Sequence, residues 1–85
     1  MQLMELAEKL KAIRLKEGLT QSELCEATGI SLSSYKKYEL ALRTEVSSIA
    51  LLKITNHVRF KKYTLWLMTG EAAPSCGQVS PEAHL

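Results

Sequence analysis

Leu3, Leu6, Ala7, Leu10, Ile13 and Leu15 recur at close to the helical period, with polar residues between them. This predicts a first helix, and Gly18 supplies a stop for it. Thr20 is followed three residues later by Glu23, the pattern of a capping box that opens a second helix. That helix should run to Thr28, where Gly29 can take a positive φ. Ser31 can cap a third helix, which Leu32 to Glu39 continue. A fourth is expected over residues 46–57, with Ile49, Leu52 and the stem of Lys53 facing inward. Leu65, Trp66, Leu67 and Met68 suggest a fifth, ending at Gly70. No stretch alternates clearly in the manner of a strand. The pattern is that of an all-α domain over residues 1–70. The stretch "EAAPSCGQVSPEAHL", residues 71–85, has two prolines and few large apolar side chains. It reads as a tail that orders only where something holds it.

Composition narrows the picture without deciding it. Eighty-five residues with 46% hydrophobic content suffice for one small core. The net charge of +2 is too mild to name a partner. The densest basic cluster is Lys53, Arg59, Lys61 and Lys62, which is either a solvated face or a contact surface. Two cysteines without metal-ligand spacing point to a reducing compartment and no disulfide frame. The amphipathic, Glu-containing start is not a signal peptide, and no apolar run reaches membrane-span length. A cytoplasmic protein with no membrane partner is expected.

The second and third helices are joined so tightly that they read as a helix-turn-helix. Cys25 stands where a small residue lets the helices cross, and Gly29 stands at the turn. Ile30, Tyr35 and Tyr38 share one face of the third helix. Leu32, Ser33, Lys36 and Lys37 share the opposite one. That outer face suits a DNA major groove: Lys for guanine or phosphate, Ser for either, Leu for a thymine methyl.

"LTQSEL", then "GIS", then "YE" resemble the helix-turn-helix of the lambda-repressor-like (XRE, Cro-type) regulators. "ALLKI" and "LWLMTGE" resemble the fourth and fifth helices of that family. The resemblance spans residues 3–71 and implies a compact five-helix DNA-binding domain. The chain's small size and its "LWLMTGE" also resemble immunity repressors of filamentous prophages in Pseudomonas. By this resemblance Gln21 anchors a phosphate and braces the third helix, and Leu32, Ser33, Lys36 and Lys37 meet base edges. Ser31 touches phosphate or base, Arg43 lies on the DNA backbone, and Arg14 and Glu39 form a buried pair. The family usually follows its third helix with Asn-Gly and a later Pro. Here the chain reads "ELALRTEVSS", with neither.

Other readings stand beside these. Cys25 is either a packed small residue or a redox sensor, and Cys76 either a plain tail residue or a reactive one. His57 and His84 lack partners at metal-ligand spacing. Tyr35, Tyr38 and Trp66 suit a core as well as a contact surface. The expected function is a sequence-specific repressor that binds a palindromic operator in double-stranded DNA as a homodimer. It would serve phage or prophage immunity, with an antirepressor protein as a further partner. The alternative is an antitoxin-like interaction module that also binds its own promoter. No carboxylate pair, nucleophile–base pair or phosphate loop supports an enzyme, and no cofactor or metal is expected. Leu65, Met68, Val79 and Leu85 are the apolar candidates for a dimer surface.

Overall fold

Each helix start in the middle of the chain is held by a hydroxyl side chain that accepts from a free backbone N–H. The computed structural model describes residues 5–42 and 45–81; Leu3, Arg43, His84 and Leu85 lie outside the described residues. Helix α1 (Leu6–Lys16) is followed by α2 (Gln21–Thr28), α3 (Leu32–Glu39), α4 (Ser48–Thr55) and α5 (Thr64–Thr69). Thr20 Oγ1 accepts from Glu23 N–H at 3.1 Å and Glu23 Oε1 accepts from Thr20 N–H at 2.9 Å, a reciprocal capping box. Ser31 Oγ caps α3 through Ser34 N–H, and Ser47 Oγ caps α4 through Ala50 N–H. Helix α4 is therefore shorter at both ends than the 46–57 expected. A 3-10 turn, Lys61–Tyr63, leads directly into α5, which closes at Gly70 with φ 81°.

The end of α3 resolves the missing Asn-Gly. Ala41 takes a left-handed φ of 58°. Its N–H donates to Tyr38 O at 3.1 Å and Leu42 N–H donates to Lys37 O at 3.0 Å, a Schellman closure. Helix α3 does not run on: an alanine adopts the conformation that glycine takes more readily.

The core gathers Leu10 and Ile13 of α1, Leu24 and Cys25 of α2, Tyr35 and Tyr38 of α3, and Ile54 of α4. Phe60, Tyr63, Trp66 and Leu67 complete it. Two expected inward faces are corrected. Leu15 is 58% exposed, because it lies roughly 200° around the helix from Ile13. Ile49 and Leu52 are 65% and 56% exposed. Five of the eight residues of "SIALLKIT" are apolar and they are spread around the helix, so hydrophobicity could not choose the face. Ala50 and Ile54, four apart, are the buried pair instead, and Lys53 is exposed.

Residues 71–81 are held by their own chain. Ala73 and Gln78 exchange two backbone hydrogen bonds around the 3-10 turn Pro74–Cys76. Gln78 Oε1 accepts from Leu65 N–H at 2.9 Å and so satisfies a free donor of α5. Gln78 Nε2 donates to Lys61 O, and Val79 N–H donates to Lys62 O at 2.8 Å. Val79, expected on a dimer surface, is half-buried and packs against the core of its own domain.

The basic cluster is divided rather than shared. Glu17 accepts from Tyr63 Oη at 2.6 Å, pairs with Arg59 Nε at 3.1 Å, and pairs with Lys62 Nζ at 3.1 Å. These contacts tie the end of α1 to the segment before α5. Burial alone would raise the Glu17 pKa, but its donors outweigh that and hold it below the ordinary carboxylate value.

Candidate nucleic-acid interface

What α3 presents outward depends on what locks its inner face. Tyr35 is fully buried and Tyr38 is 5% exposed. At the C-terminal end of the helix, Glu39 turns inward and meets Arg14 of α1. Nε donates to Oε2 at 2.7 Å and Nη2 to Oε1 at 3.0 Å, a two-pronged pair that fixes the orientation of both side chains. Arg14 Nη1 also donates to Leu19 O at 2.9 Å, and Gln21 Nε2 donates to Glu39 Oε1 at 3.2 Å. Three segments, α1, the α1–α2 turn and the start of α2, are thus fastened to one carboxylate. Burial would raise the Glu39 pKa, but hydrogen bonds from Arg14, Tyr35 and Gln21 prevail and lower it.

With rotation about its axis fixed, α3 exposes Ser33, Lys36 and Lys37, and no acid. At about 100° per residue, Ser33 and Lys37 line up along the outward ridge. Leu32 and Lys36 lie on the flank toward α2, where Gln21 also sits. Ser34 and Tyr38 lie on the flank toward α4. Leu32 is half-buried and packs against the core, so only part of it remains for a thymine methyl. Ser31 is exposed and already caps the helix, with its hydroxyl proton still free to donate. Gln21 is half-buried. Arg43 and Leu85, expected on the backbone and at the dimer surface, lie outside the described residues.

The cysteine, histidine and tryptophan readings also resolve. Cys25 is buried where α2 meets the turn, its Sγ 4.0 Å from Ser31 O. Burial, then the nearby Glu39 charge, pushes the thiol pKa up, the opposite of what a thiolate sensor needs. His57 Nδ1 accepts from Arg59 N–H, and its ring lies 4.8 Å from that of Phe60. Trp66 is core, with Lys9 Nζ 5.8 Å from its ring centroid.

On the remaining surface, Leu65 is half-buried and Met68 is 57% exposed. Met68 shares a shallow apolar groove with Leu51 and Leu52 of α4. A second cleft, of about 310 Å³, opens between α3 and α4 and is mainly polar, with Ser34, Tyr38, Ser47 and Lys53 in its lining. Sequence reasoning passed over Ser34 and Ser47, gave Tyr38 to the inner face of the third helix, and placed Lys53 in the basic cluster. No helix among the described residues is long and apolar enough to cross a membrane.

Comparison with known proteins agrees with this geometry. The helix-turn-helix family profile matches residues 10–58, which run from α1 to just past α4. The chain is 33% identical over 76 residues to Repressor protein C of Escherichia phage P2. That alignment covers 89% of this chain and 76% of the phage protein.

Proposed function

The chain belongs to the helix-turn-helix family of DNA-binding transcriptional regulators, and from that premise we propose that it is a sequence-specific repressor serving phage or prophage immunity. It binds a palindromic operator as a homodimer and represses by covering a promoter. The observation that carries this reading is the outer face of α3. Its exposed residues are hydroxyl and lysine side chains, and its orientation is fixed from behind by the Arg14–Glu39–Gln21 network. A surface built only to hold a protein partner has no need of so rigid a mount for two lysines.

In this account Ser33 and Lys37 meet base edges, Leu32 contributes an apolar contact, and Lys36 meets a phosphate. Gln21 and Ser31 touch the backbone from the ends of their helices. One module reads few base pairs, so two must act together, with their recognition helices about 34 Å apart, one turn of DNA. The dimer surface is the apolar strip where Leu52 of α4 adjoins Met68 of α5, with Leu65 beside it and Ile49 extending it. An antirepressor would act by competing for either surface. The narrower resemblance to filamentous prophage repressors of Pseudomonas favours an operator next to the chain's own gene. Footprinting on the DNA upstream of that gene tests the reading. Two protected half-sites one turn apart are expected, and absence of any protected site contradicts it.

A further inference from the structure

The end of α1, the 3-10 turn Lys61–Tyr63 and the docked tail meet around a cavity of about 270 Å³. Lys16 lines it from α1, Lys62 and Tyr63 from the turn, and Ala72, Pro74 and Val79 from the tail. No residue of α2, α3 or α4 contributes, so the contact proposed with DNA does not account for this space.

The wall is largely hydrocarbon. Tyr63 is buried, and its hydroxyl already donates to Glu17 Oε2, so ring carbon is what it offers. Ala72, Pro74 and Val79 have apolar side chains. Water in such a space finds few partners, and an apolar body that replaces it gains by leaving water. At about 270 Å³ the cavity lies just below the range of drug-sized sites and takes a body of roughly ten non-hydrogen atoms.

The charge around it has one sign. Lys16 and Lys62 are both exposed residues that line the cavity. A lysine can lay its stem along apolar surface and keep its ammonium in water at the mouth. No acidic side chain among the described residues lines the cavity. Glu17 touches Lys62, but it also pairs with Arg59 and accepts from Tyr63, so its charge is already met by two cations. Lys16 forms no ion pair among the described residues. Positive charge is therefore left over beside an apolar space.

We infer that this cavity binds a small-molecule anion with an apolar body, of the class of medium-chain carboxylates. The chain lies on Tyr63, Pro74 and Val79, and the head group is held by Lys16 and Lys62. Part of the wall belongs to the body of the domain, and the rest is the tail, which docks through Gln78 and Val79. A ligand that needs both binds only the docked form and, by linkage, strengthens the docking. The site goes beyond the repressor reading and does not depend on it.

Octanoate is the probe, titrated into the full chain and followed by NMR and by melting temperature, with octanamide and octylamine as the neutral and cationic controls. Octanoate should shift the amide signals of Tyr63, Ala72 and Val79 and leave those of α3 in place. At ten times its Kd it should raise the melting temperature by roughly 5 °C. Octanamide should bind several-fold more weakly and octylamine not at all. Lys16→Gln should lose about threefold in affinity for octanoate and nothing for octanamide, the size expected of an exposed ion pair. Ala72→Phe introduces a ring into the cavity from an exposed position and should abolish binding. Octanoate that leaves the wild-type signals unmoved overturns the site. Octanamide that binds as tightly as octanoate overturns the preference for an anion, and undiminished binding by Ala72→Phe overturns the location. If octanoate binds only after residues 82–85 are removed, the chain's own end occupies the cavity and the small-molecule assignment fails.

Discussion

Arg14 grips Glu39 with two hydrogen bonds, Nε to Oε2 at 2.7 Å and Nη2 to Oε1 at 3.0 Å, across 25 residues of sequence. The pair joins the helix that starts the domain to the end of the helix assigned to DNA. Removing one partner leaves the other charged, nearly buried and unpaired. Arg14→Ala is expected to cost about 3 kcal/mol of stability, measured by urea unfolding. A loss within experimental error would mean that the pair does not hold α3 in place.

Acid should unfold the protein through the same carboxylate and through Glu17. Both titrate below the ordinary range in the folded state, each because its donors outweigh the cost of burial. In the unfolded chain a glutamate protonates near about pH 4.3. The stabilisation is therefore complete above that value and is lost as pH falls through the lower folded values. Melting temperatures should drop steeply on acidification below about pH 4. Glu39→Gln should be less stable at neutral pH and lose less on acidification. An acid slope equal to that of the wild type would show that Glu39 is not a source of the acid sensitivity.

Ala41 offers a gain instead of a loss. Its φ of 58° is costly for an alanine, while glycine gives back part of the benefit as unfolded-chain entropy. Ala41→Gly should stabilise by about 0.5–1 kcal/mol, read as a higher urea midpoint with an unchanged slope. A lower midpoint would mean that the left-handed closure of α3 is wrong.

These two features divide what could be read from the chain from what could not. Thr20 with Glu23, and Ser31 before Leu32, are local signals, and both helix starts fall where they were expected. The split of Tyr35 and Tyr38 from Ser33 and Lys37 was legible because the helical period separates them. The face of α4 was not, since its five apolar residues are spread around the helix and mark no single side. The Glu17 hub joins residues 42 and 46 positions apart, and no local pattern announces such contacts. The tail misled for a related reason. It lacks large apolar side chains, yet Gln78 anchors it through an amide that caps α5, 13 positions upstream. The resemblance to lambda-repressor-like regulators led to Gln21 beside Glu39.

That docking changes what truncation should do. Deleting residues 71–85 removes the Gln78 and Val79 contacts and frees the start of α5. Gln78→Ala alone should cost about 1 kcal/mol, and the truncation more. Calorimetry of the two variants checks this. A truncated chain as stable as the wild type would show that the tail contributes nothing to the domain.

Cys25 should behave as packing. Cys25→Leu should force α2 from the turn before α3 and cost about 1–3 kcal/mol, while Cys25→Ala should bind DNA normally. Oxidant that released the wild type from DNA but spared the alanine variant would restore the sensor reading.

The central claim is that the outward ridge of α3 reads sequence, and one comparison tests it most directly. Affinities of Lys37→Ala and Lys36→Ala for the operator and for random DNA are measured at several salt concentrations. Lys37→Ala should lose about 1–3 kcal/mol at the operator and little on random DNA, so the ratio between them narrows. Lys36→Ala should weaken both equally and reduce the salt slope by about 1, which leaves the ratio intact. If neither variant loses affinity for the operator, α3 is not the reading helix, and the mount built by Arg14 and Glu39 serves some other surface.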